Sequence, residues 1–289
     1  MSQFSPPPMI TNAGDLLSQY DVLFCDVWGV VHNGRTAYTE GCEALHRFRQ
    51  GGGTVVLVSN APRRAPVVAK ILAEKDVPEN CWDAIVPSGD QAVAFARRKG
   101  MSKVHHIGPD RDLDVFEDSG LERVALDQGE AVFCTGLIRD REETGDDYRD
   151  RLAPALERKQ TLICANPDLV VDVGGTLLPC AGAIAKVYED MGGDVFWAGK
   201  PFATAYDAAG EKAEELRGTK VEKSRILAIG DSVRTDIAGA VGYGIDALFI
   251  GQGIHREAIM PDGDFLPEQL AGLFDGQPQA KAAMETLRW

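Results

Sequence analysis

Three aspartates stand where apolar runs of this sequence end, and carboxylates in such places can act as nucleophiles or as metal ligands. Asp26 follows the apolar residues 22–25, and Asp231 and Asp236 follow the run 225–230. Oxygen-rich side chains grouped in this way suit a hard cation such as Mg2+. A solvated aspartate or a helix cap is the alternative explanation at each position. The pattern therefore indicates nucleophilic or metal chemistry without deciding between them.

Two further strand-like runs end in residues that suit an anionic group. After the first come Ser59 and Asn60, whose hydroxyl and backbone N–H groups could hold a phosphate. After the second comes Lys200, whose ammonium could neutralise a phosphoryl oxygen or an aspartate. Pro201 follows and is predicted to take the first helical position. An ordinary Ser-Asn turn and a surface lysine remain the alternatives.

The elements that must position these residues alternate between strand-like and helix-like segments. The predicted strands are 22–27, 54–59, 104–107, 132–137, 161–165, 195–198, 225–230 and 246–250. The predicted helices are 40–50, 64–75, 89–99, 147–158, 181–191, 202–217, 235–242 and 279–287. Such alternation is typical of an α/β fold with a parallel sheet flanked by helices.

The candidate residues all lie outside a stretch of dense charge at 109–151. That distribution predicts a core domain built from both ends of the chain, with a second domain inserted into it. We place the discontinuous core at 1–88 plus 186–289 and the inserted domain at 89–185.

Composition narrows the classes of function. The chain has 289 residues, 44% hydrophobic and 26% charged, which is ordinary for a globular protein. Its net charge of −14 argues against nucleic acid and anionic membrane as partners. No apolar run is long enough to span a bilayer, and the first ten residues lack the pattern of a signal peptide. Six scattered cysteines favour a cytoplasmic protein over a disulfide or zinc framework.

Three other motifs carry little chemical meaning. The glycines of 242–244 and of 251–253 do not complete the pattern of a dinucleotide site. His105 and His106 lie in a strand-like run without further ligands at suitable spacing, and we interpret them as structural.

Four motifs, taken in their order along the chain, resemble those of the haloacid dehalogenase-like hydrolase superfamily. They are the motifs that contain Asp26, Ser59, Lys200 and Asp231. The large insert between Ser59 and Lys200 resembles subclass IIA, the subgroup of NagD-like and 4-nitrophenylphosphatase-like enzymes. The stretch 165–168 is similar to the cap domain of that subgroup. The resemblance implies a Rossmann-like, doubly wound parallel sheet as the core and a smaller inserted α/β cap domain.

The resemblance also implies a Mg2+-dependent phosphatase acting on a small phosphorylated molecule. Asp26 would be the nucleophile, forming an aspartyl-phosphate that water hydrolyses. Asp26, Asp231 and the backbone carbonyl of Trp28 would hold Mg2+, with Asp236 in support.

The remaining implied roles concern the substrate. Ser59 and the Asn60 backbone would bind phosphoryl oxygens, and Lys200 would orient the nucleophile and neutralise charge. Asn166 and Asp168 would reach from the cap toward the substrate. Pairing of two caps in a homodimer is a further expectation.

Trp28 departs from the family pattern. Phosphatases of this family carry a second aspartate there as general acid/base, a role typically worth about 10²–10⁴-fold in rate. Tryptophan cannot protonate a leaving alkoxide, so activity should be weak except on substrates with good leaving groups. His32 is a hypothetical substitute acid. The alternatives to a phosphatase are a catalytically silent protein that binds a phosphorylated ligand or partner, and a hydrolase of another bond.

Overall fold

The computed structural model describes residues 6–173 and 176–289; the first five residues of the Pro-rich start lie outside this description. The chain divides into two compact units. The terminal unit contains Met1–Ser59, Ala69–Val86 and Tyr206–Trp289, and the middle unit contains Asn60–Val68 and Pro87–Ala205.

The terminal unit is built on a six-stranded sheet. With strands numbered in chain order, the sheet runs β13 (Ala282–Met284), β12 (Asp246–Ile250), β11 (Ile226–Gly230), β1 (Val22–Cys25), β2 (Thr54–Ser59) and β3 (Ala84–Pro87). The pairings from β13 through to β2 are parallel. Every residue of β1, β2 and β11 is buried, as expected of parallel strands covered on both faces.

The order of these strands creates a switch point in the sheet. From β1 the chain moves outward to β2 and β3, and it later returns to β11 on the opposite side of β1. Cys25 lies opposite Ile229 in the register, and the backbone N–H of Asp26 donates to the Ile229 carbonyl at 2.8 Å. Ligands of open α/β sheets bind beyond the carboxyl ends of strands at such a point. Asp26 and Asp231 therefore follow neighbouring strand ends where a site is expected.

The middle unit has its own parallel sheet. Its order is β10 (Val195–Trp197), β7 (Thr161–Cys164), β6 (Ala131–Cys134), β4 (Lys103–Ile107) and β5 (Glu122–Arg123), with all pairings parallel. An antiparallel pair, β8 (Val170–Asp172) and β9 (Leu177–Pro179), accompanies it. Side chains of β6 alternate between two apolar clusters, so this sheet is also packed on both faces.

Helices connect the strands of both sheets. They are α1 (Gly14–Leu17), α2 (Thr39–Gln50), α3 (Ala65–Ala73), α4 (Ser88–Arg98), α5 (Arg149–Glu157), α6 (Ala181–Asp190), α7 (Ala203–Arg217), α8 (Ala238–Tyr243), α9 (Arg256–Ile259) and α10 (Pro267–Leu273). Short 3₁₀ turns add Glu79–Cys81, Asp110–Phe116, Leu126–Gln128, Gly145–Tyr148 and Lys223–Arg225, and Val233–Ile237 forms a π-helical turn. Within the described residues, no helix is both long and apolar enough to cross a membrane.

The predicted fold class is confirmed: the chain is α/β, with a Rossmann-like, doubly wound parallel core and an inserted smaller α/β part. The predicted helix 279–287 is wrong, because Ala282–Met284 pairs as a buried edge strand with β12. Its Ala- and Met-rich composition favours a helix, but pairing and burial at the sheet edge outweigh that weak preference. The domain boundaries at 88/89 and 185/186 stay a prediction.

Candidate active site

Three carboxylates converge at the carboxyl ends of β1 and β11. One oxygen from each of Asp26, Asp231 and Asp236 lies within 4.8 Å of the others. Asp231 is 6% exposed and Asp236 is 3% exposed, so their charges are poorly solvated. Like charges at this spacing repel one another strongly in a low-dielectric setting. An all-carboxylate donor set of this kind fits a hard divalent cation.

Two glycine backbones closely surround the Asp231 carboxylate. The backbone N–H of Ile254 donates to Asp231 Oδ2 at 2.7 Å. A Cβ added to Gly253 would lie 1.6 Å from that oxygen, and one added to Gly29 would lie 2.2 Å from it. Gly29 also has a φ of +85°, which side chains other than glycine rarely adopt. Any side chain at either glycine would displace the carboxylate.

Asp236 is positioned by a π-helical turn. The backbone N–H of Ile237 donates to the Ser232 carbonyl at 3.1 Å, and the Ser232 N–H donates to Asp236 Oδ2 at 3.1 Å. The Tyr206 hydroxyl donates to the Asp236 carbonyl at 3.2 Å. A Cβ on Gly230 would lie 2.1 Å from Asp236 Cγ. Such turns are frequent at functional sites, and the sequence predicted an ordinary helix here.

The loop after Asp26 is organised by Trp28. Its half-buried ring meets the His32 ring edge-on, with 5.3 Å between centroids, and a Cβ on Gly34 would lie 2.7 Å from it. The Gly34 N–H donates to His32 Nδ1 at 2.9 Å. Burial lowers the pKa of His32 to about 4, so the ring is neutral at pH 7. A neutral imidazole is a weak proton donor, which argues against His32 as the substitute acid.

Lys200 lies in the middle unit and is 3% exposed. The Asn60 side chain holds its backbone on both sides. Asn60 Oδ1 accepts from the Lys200 N–H at 2.8 Å, and Asn60 Nδ2 donates to the Lys200 carbonyl at 3.0 Å. Gly199 permits this contact, because a Cβ there would lie 2.5 Å from Asn60 Oδ1. The Lys200–Pro201 peptide bond is cis, and α7 begins at Ala203, so Pro201 does not occupy the predicted first helical position.

Asn166 and Asp168 form a tight turn in the same unit. Asn166 Oδ1 accepts from the Asp168 N–H at 3.0 Å. Asp168 Oδ1 in turn accepts from Asn60 Nδ2 at 3.0 Å. Both side chains therefore contribute to holding the loops around Lys200. Their contact with a substrate stays a prediction.

The structure brings the sequence-predicted residues together in two groups. The terminal unit gathers Asp26, Asp231 and Asp236, and there Ser59 is the last residue of β2 and 8% exposed. The middle unit gathers Asn60, Asp168 and Lys200, with Asn166 in their loop.

Sequence reasoning missed two contributions. The first is the loop containing Gly253 and Ile254, which contacts Asp231; two glycines soon after a strand were the available signal. The second is the Asn60 side chain, for which we assigned a role only to the backbone. Its partners lie about a hundred or more positions away in the chain, so no local pattern could indicate them.

Known proteins resemble this chain over almost its full length. Residues 23–122 match the family described as haloacid dehalogenase-like hydrolase, and residues 197–273 match one described as HAD-hydrolase-like. A solved hydrolase of the haloacid dehalogenase-like family from Brucella suis 1330 is 39% identical, with 96% of this chain and 100% of that chain covered and a TM-score of 0.84. This chain belongs to the haloacid dehalogenase-like hydrolases.

More distant relatives of this hydrolase are phosphatases. Ribonucleotide monophosphatase NagD of Escherichia coli K12 is 22% identical, covering 85% of this chain and 92% of its own. A glycerol phosphate phosphatase from Mycobacterium tuberculosis, solved in complex with magnesium, is 22% identical with a TM-score of 0.64, covering 88% of this chain and 78% of its own. The predicted resemblance to the NagD-like subgroup is confirmed, and these relatives support a phosphatase.

Proposed function

We propose that this hydrolase is a Mg2+-dependent phosphatase that acts on a small phosphorylated molecule through Asp26. The observation that carries the proposal is the convergence of Asp26, Asp231 and Asp236 within 4.8 Å at the switch point of the sheet. Carboxylate oxygens suit a hard cation such as Mg2+, whereas softer metals favour sulfur ligands. A structurally similar glycerol phosphate phosphatase was solved in complex with magnesium, which supports this choice of cation.

In this proposal Mg2+ would be held by Asp26, Asp231 and the backbone carbonyl of Trp28, with Asp236 in support. Bound there, the cation would screen negative charge on the transferring phosphoryl group. The Ile254 N–H on Asp231 and the Ser232 N–H on Asp236 fix one oxygen of each carboxylate. They reduce the reorganisation that binding would require.

The reaction runs through two displacements at phosphorus. The Asp26 carboxylate attacks the phosphorus atom, and the bond to the leaving oxygen breaks. Water then attacks the aspartyl-phosphate, which releases inorganic phosphate and restores the carboxylate. Ser59 and the Asn60 backbone bind phosphoryl oxygens, and Lys200 neutralises their charge. The Asn60 side chain positions the Lys200 backbone, as its two hydrogen bonds indicate.

Trp28 restricts which substrates this site can hydrolyse quickly. Its indole N–H is far too weakly acidic to protonate a leaving oxygen, and the neighbouring His32 is buried and neutral. Leaving groups that depart as stable anions need no such proton. We therefore propose aryl phosphates and acyl phosphates as the favoured chemical class.

The replacement of the general acid by Trp28 also favours a second candidate function. A protein with intact carboxylates and phosphate-binding groups but no general acid could bind a phosphorylated ligand without turnover. Hydrolysis of another bond is a weaker candidate, because a metal-free displacement would not need Asp231 and Asp236.

A hydrolysis panel separates these functions. We would measure release of phosphate from 4-nitrophenyl phosphate and from sugar, nucleotide and acyl phosphates, with Mg2+ or with a chelator. The phosphatase proposal expects Mg2+-dependent turnover that is lost in Asp26→Asn. Inert wild-type protein together with active Trp28→Asp would favour the silent binder.

The proposal also includes a cellular location and an oligomeric state. The six cysteines are buried and form no disulfide, which supports a cytoplasmic location. We also propose a homodimer that pairs through residues 89–185, and light scattering of wild-type protein would test it.

A further inference from the structure

Gln91, in the first turn of α4, contacts the residue that precedes Lys200. The Gly199 N–H donates to Gln91 Oε1 at 3.0 Å, and Gln91 is 7% exposed. Gln91 Nε2 lies 3.5 Å from the Pro87 carbonyl oxygen, at the outer limit of a hydrogen bond. Within a carboxamide the carbonyl oxygen is the acceptor, so the contact with Gly199 fixes how this side chain is oriented. A buried side chain thus joins α4 to the segment that contains Lys200.

The Gly199 N–H depends on this acceptor. Gly199 is buried, and a buried backbone N–H without a partner carries a large cost in free energy. Its φ is +92°, which favours glycine, and a Cβ there would lie 2.5 Å from Asn60 Oδ1 and 3.0 Å from Ser88 Cβ. The backbone of Gly199 is therefore packed closely against neighbouring side chains, and loss of the Gln91 acceptor would favour a different position for it.

Two carboxamides together hold the backbone at Gly199 and Lys200. Gln91 accepts from the Gly199 N–H, while Asn60 accepts from the Lys200 N–H at 2.8 Å and donates to the Lys200 carbonyl at 3.0 Å. A backbone held in this way fixes the direction in which the lysine side chain leaves the chain. Because that side chain is long, a small rotation of the backbone becomes a larger displacement of its ammonium group. Gln91 and Asn60 therefore both determine where the charge of Lys200 lies.

The first turn of α4 also contacts two other loops of the middle unit. Ser88 is fully buried, and its Oγ lies 2.5 Å from the Ala165 carbonyl oxygen and 3.0 Å from the Ala61 carbonyl oxygen. Ala61 directly follows Asn60, and Ala165 directly precedes Asn166. One turn of a helix thus ties three loops together, and a helix positions such groups more precisely than loops alone do.

We propose that Gln91 is a positioning residue for Lys200. The inference rests on the phosphatase proposal, in which Lys200 neutralises charge on the phosphoryl oxygens. With Gly199 held by Gln91, the ammonium group is in place before the substrate binds, and no reorganisation is needed when it does. Without the acceptor, Lys200 would keep its charge but not its position.

The proposed role predicts an effect on phosphate binding that Mg2+ binding does not share. The hydrogen bonds of Gln91 are made within the middle unit, whereas Asp26, Asp231 and Asp236 belong to the terminal unit. Displacement of the lysine should therefore weaken phosphate binding and leave the affinity of the carboxylates for Mg2+ unchanged. A general loss of structure would weaken both.

Three variants separate the hydrogen bond from packing. Gln91→Met keeps the length of the side chain but offers only a weak sulfur acceptor, while Gln91→Glu keeps an acceptor oxygen for the Gly199 N–H. Gln160→Met is the matched control. Gln160 is also 7% exposed in the middle unit, and its Nε2 donates to the Leu126 carbonyl at 3.2 Å. It precedes β7, at the end of the sheet opposite the loop of Lys200.

The test measures binding of inorganic phosphate by calorimetry in saturating Mg2+, together with kcat/KM on 4-nitrophenyl phosphate. Gln91→Met should lower phosphate affinity and kcat/KM by about ten-fold or more, the size of effect that a small displacement in an active site produces. Gln91→Glu should recover most of this loss, and Gln160→Met should match wild type. Mg2+ affinity without phosphate should be the same in all four proteins.

Lys200→Met provides the readout that a purely structural role would not change. If Gln91 acts through the lysine, adding Gln91→Met to Lys200→Met should cause no further loss of phosphate affinity. A general distortion of the middle unit would add its own loss in the double variant. Phosphate binding needs no turnover, so this comparison does not depend on hydrolysis.

Three results would overturn the inference. They are equal phosphate affinity in Gln91→Met and Gln160→Met, a full second loss in the double variant, and wild-type phosphate binding that Lys200→Met leaves unchanged. By contrast, the expected pattern of phosphate binding in a protein without turnover would support the inference and refute the phosphatase proposal alone.

Discussion

At the scale of single residues, the proposed phosphatase depends on Trp28, which stands where the family carries an acid for proton transfer. The ring packs against His32 and Gly34, and no acid stands in its place. Trp28→Asp should restore a proton donor and raise kcat/KM on alkyl phosphates, whose leaving groups need one. The expected gain lies within about 10²–10⁴-fold, with a much smaller change on 4-nitrophenyl phosphate.

The control for this prediction is Trp28→Phe, which keeps an aromatic ring and adds no acid. Paired measurements of kcat/KM on the two substrate classes provide the check. Equal gains on both classes in Trp28→Asp would contradict the role of the missing acid.

Gly253 supports the carboxylate site through its lack of a side chain. In Gly253→Ala the added methyl would collide with Asp231 Oδ2, so the loop or the carboxylate must move. Mg2+ affinity, measured by calorimetry without substrate, should fall about ten-fold or more, an effect of the size seen when groups supporting metal ligands are lost. Gly272→Ala is the matched control, because a Cβ there has nothing within 4 Å. Unchanged affinity in Gly253→Ala would show that this close approach is not needed.

At the scale of elements, β4 holds a histidine that links folding to pH. His106 donates to or accepts from Thr135 Oγ1 at 2.9 Å, and burial lowers the pKa of His106 to about 4. In the unfolded chain the pKa of His106 is near 6.5. Between about pH 4 and pH 6.5 the unfolded state therefore binds more protons at this residue than the native state does. Stability should therefore fall as pH drops from about 6.5 to about 4, by up to roughly 3 kcal/mol from this group.

Asp112 opposes part of this effect, since burial raises its pKa to about 6 and native protein takes up that proton as pH falls. Urea unfolding across this pH range provides the measurement. His106→Asn should flatten the pH dependence, and His46→Asn, which removes a ring that makes an exposed hydrogen bond to the Asn80 carbonyl, should not. An identical slope in wild type and His106→Asn would rule out this linkage.

The elements show what the sequence could predict. Strands with continuous apolar runs, such as Thr54–Ser59 and Asp246–Ile250, are recognisable locally, because burial on both faces leaves a strong pattern. Ala84–Pro87 was missed, because its run of three apolar residues stops at a proline, and Ala282–Met284 looks helical until its pairing with β12 is known. The edge strand depends on a distant partner, which no local pattern reveals.

The candidate site likewise contains residues that the sequence could predict and contacts that it could not. Asp26 and Asp231 were predictable, because a polar residue directly after a buried strand must lie at the sheet edge. The Asn60 contacts with Asp168 and Lys200 were not, because they join loops that are far apart in the chain. The same holds for the Ile254 N–H on Asp231, which depends on where the loop after β12 folds back.

At the scale of the whole molecule, the proposed metal site predicts that the three carboxylates couple Mg2+ binding to stability. Mg2+ that binds only the native state should raise Tm. At a Mg2+ concentration of one hundred times Kd, the free energy of unfolding should increase by about 2.7 kcal/mol. Asp231→Asn removes one of three repelling charges while its side-chain oxygen still accepts from Ile254. This variant should match or exceed the wild-type Tm in chelator and fall below it in Mg2+.

Thermal melts of both proteins in the two buffers show whether the curves cross. Asn12→Asp, an exposed position outside the cluster, controls for a change of charge alone. A Mg2+ shift as large in Asp231→Asn as in wild type would contradict the proposed metal site.

The central claim, a covalent phosphoryl transfer to Asp26, is tested most directly by rapid mixing with 4-nitrophenyl phosphate and Mg2+. The missing general base at Trp28 should slow hydrolysis of the aspartyl-phosphate more than its formation from this good leaving group. We therefore predict a burst of 4-nitrophenolate approaching one equivalent per enzyme, followed by a slow steady rate, with no burst in Asp26→Asn. A burst of the same size in Asp26→Asn would contradict the account.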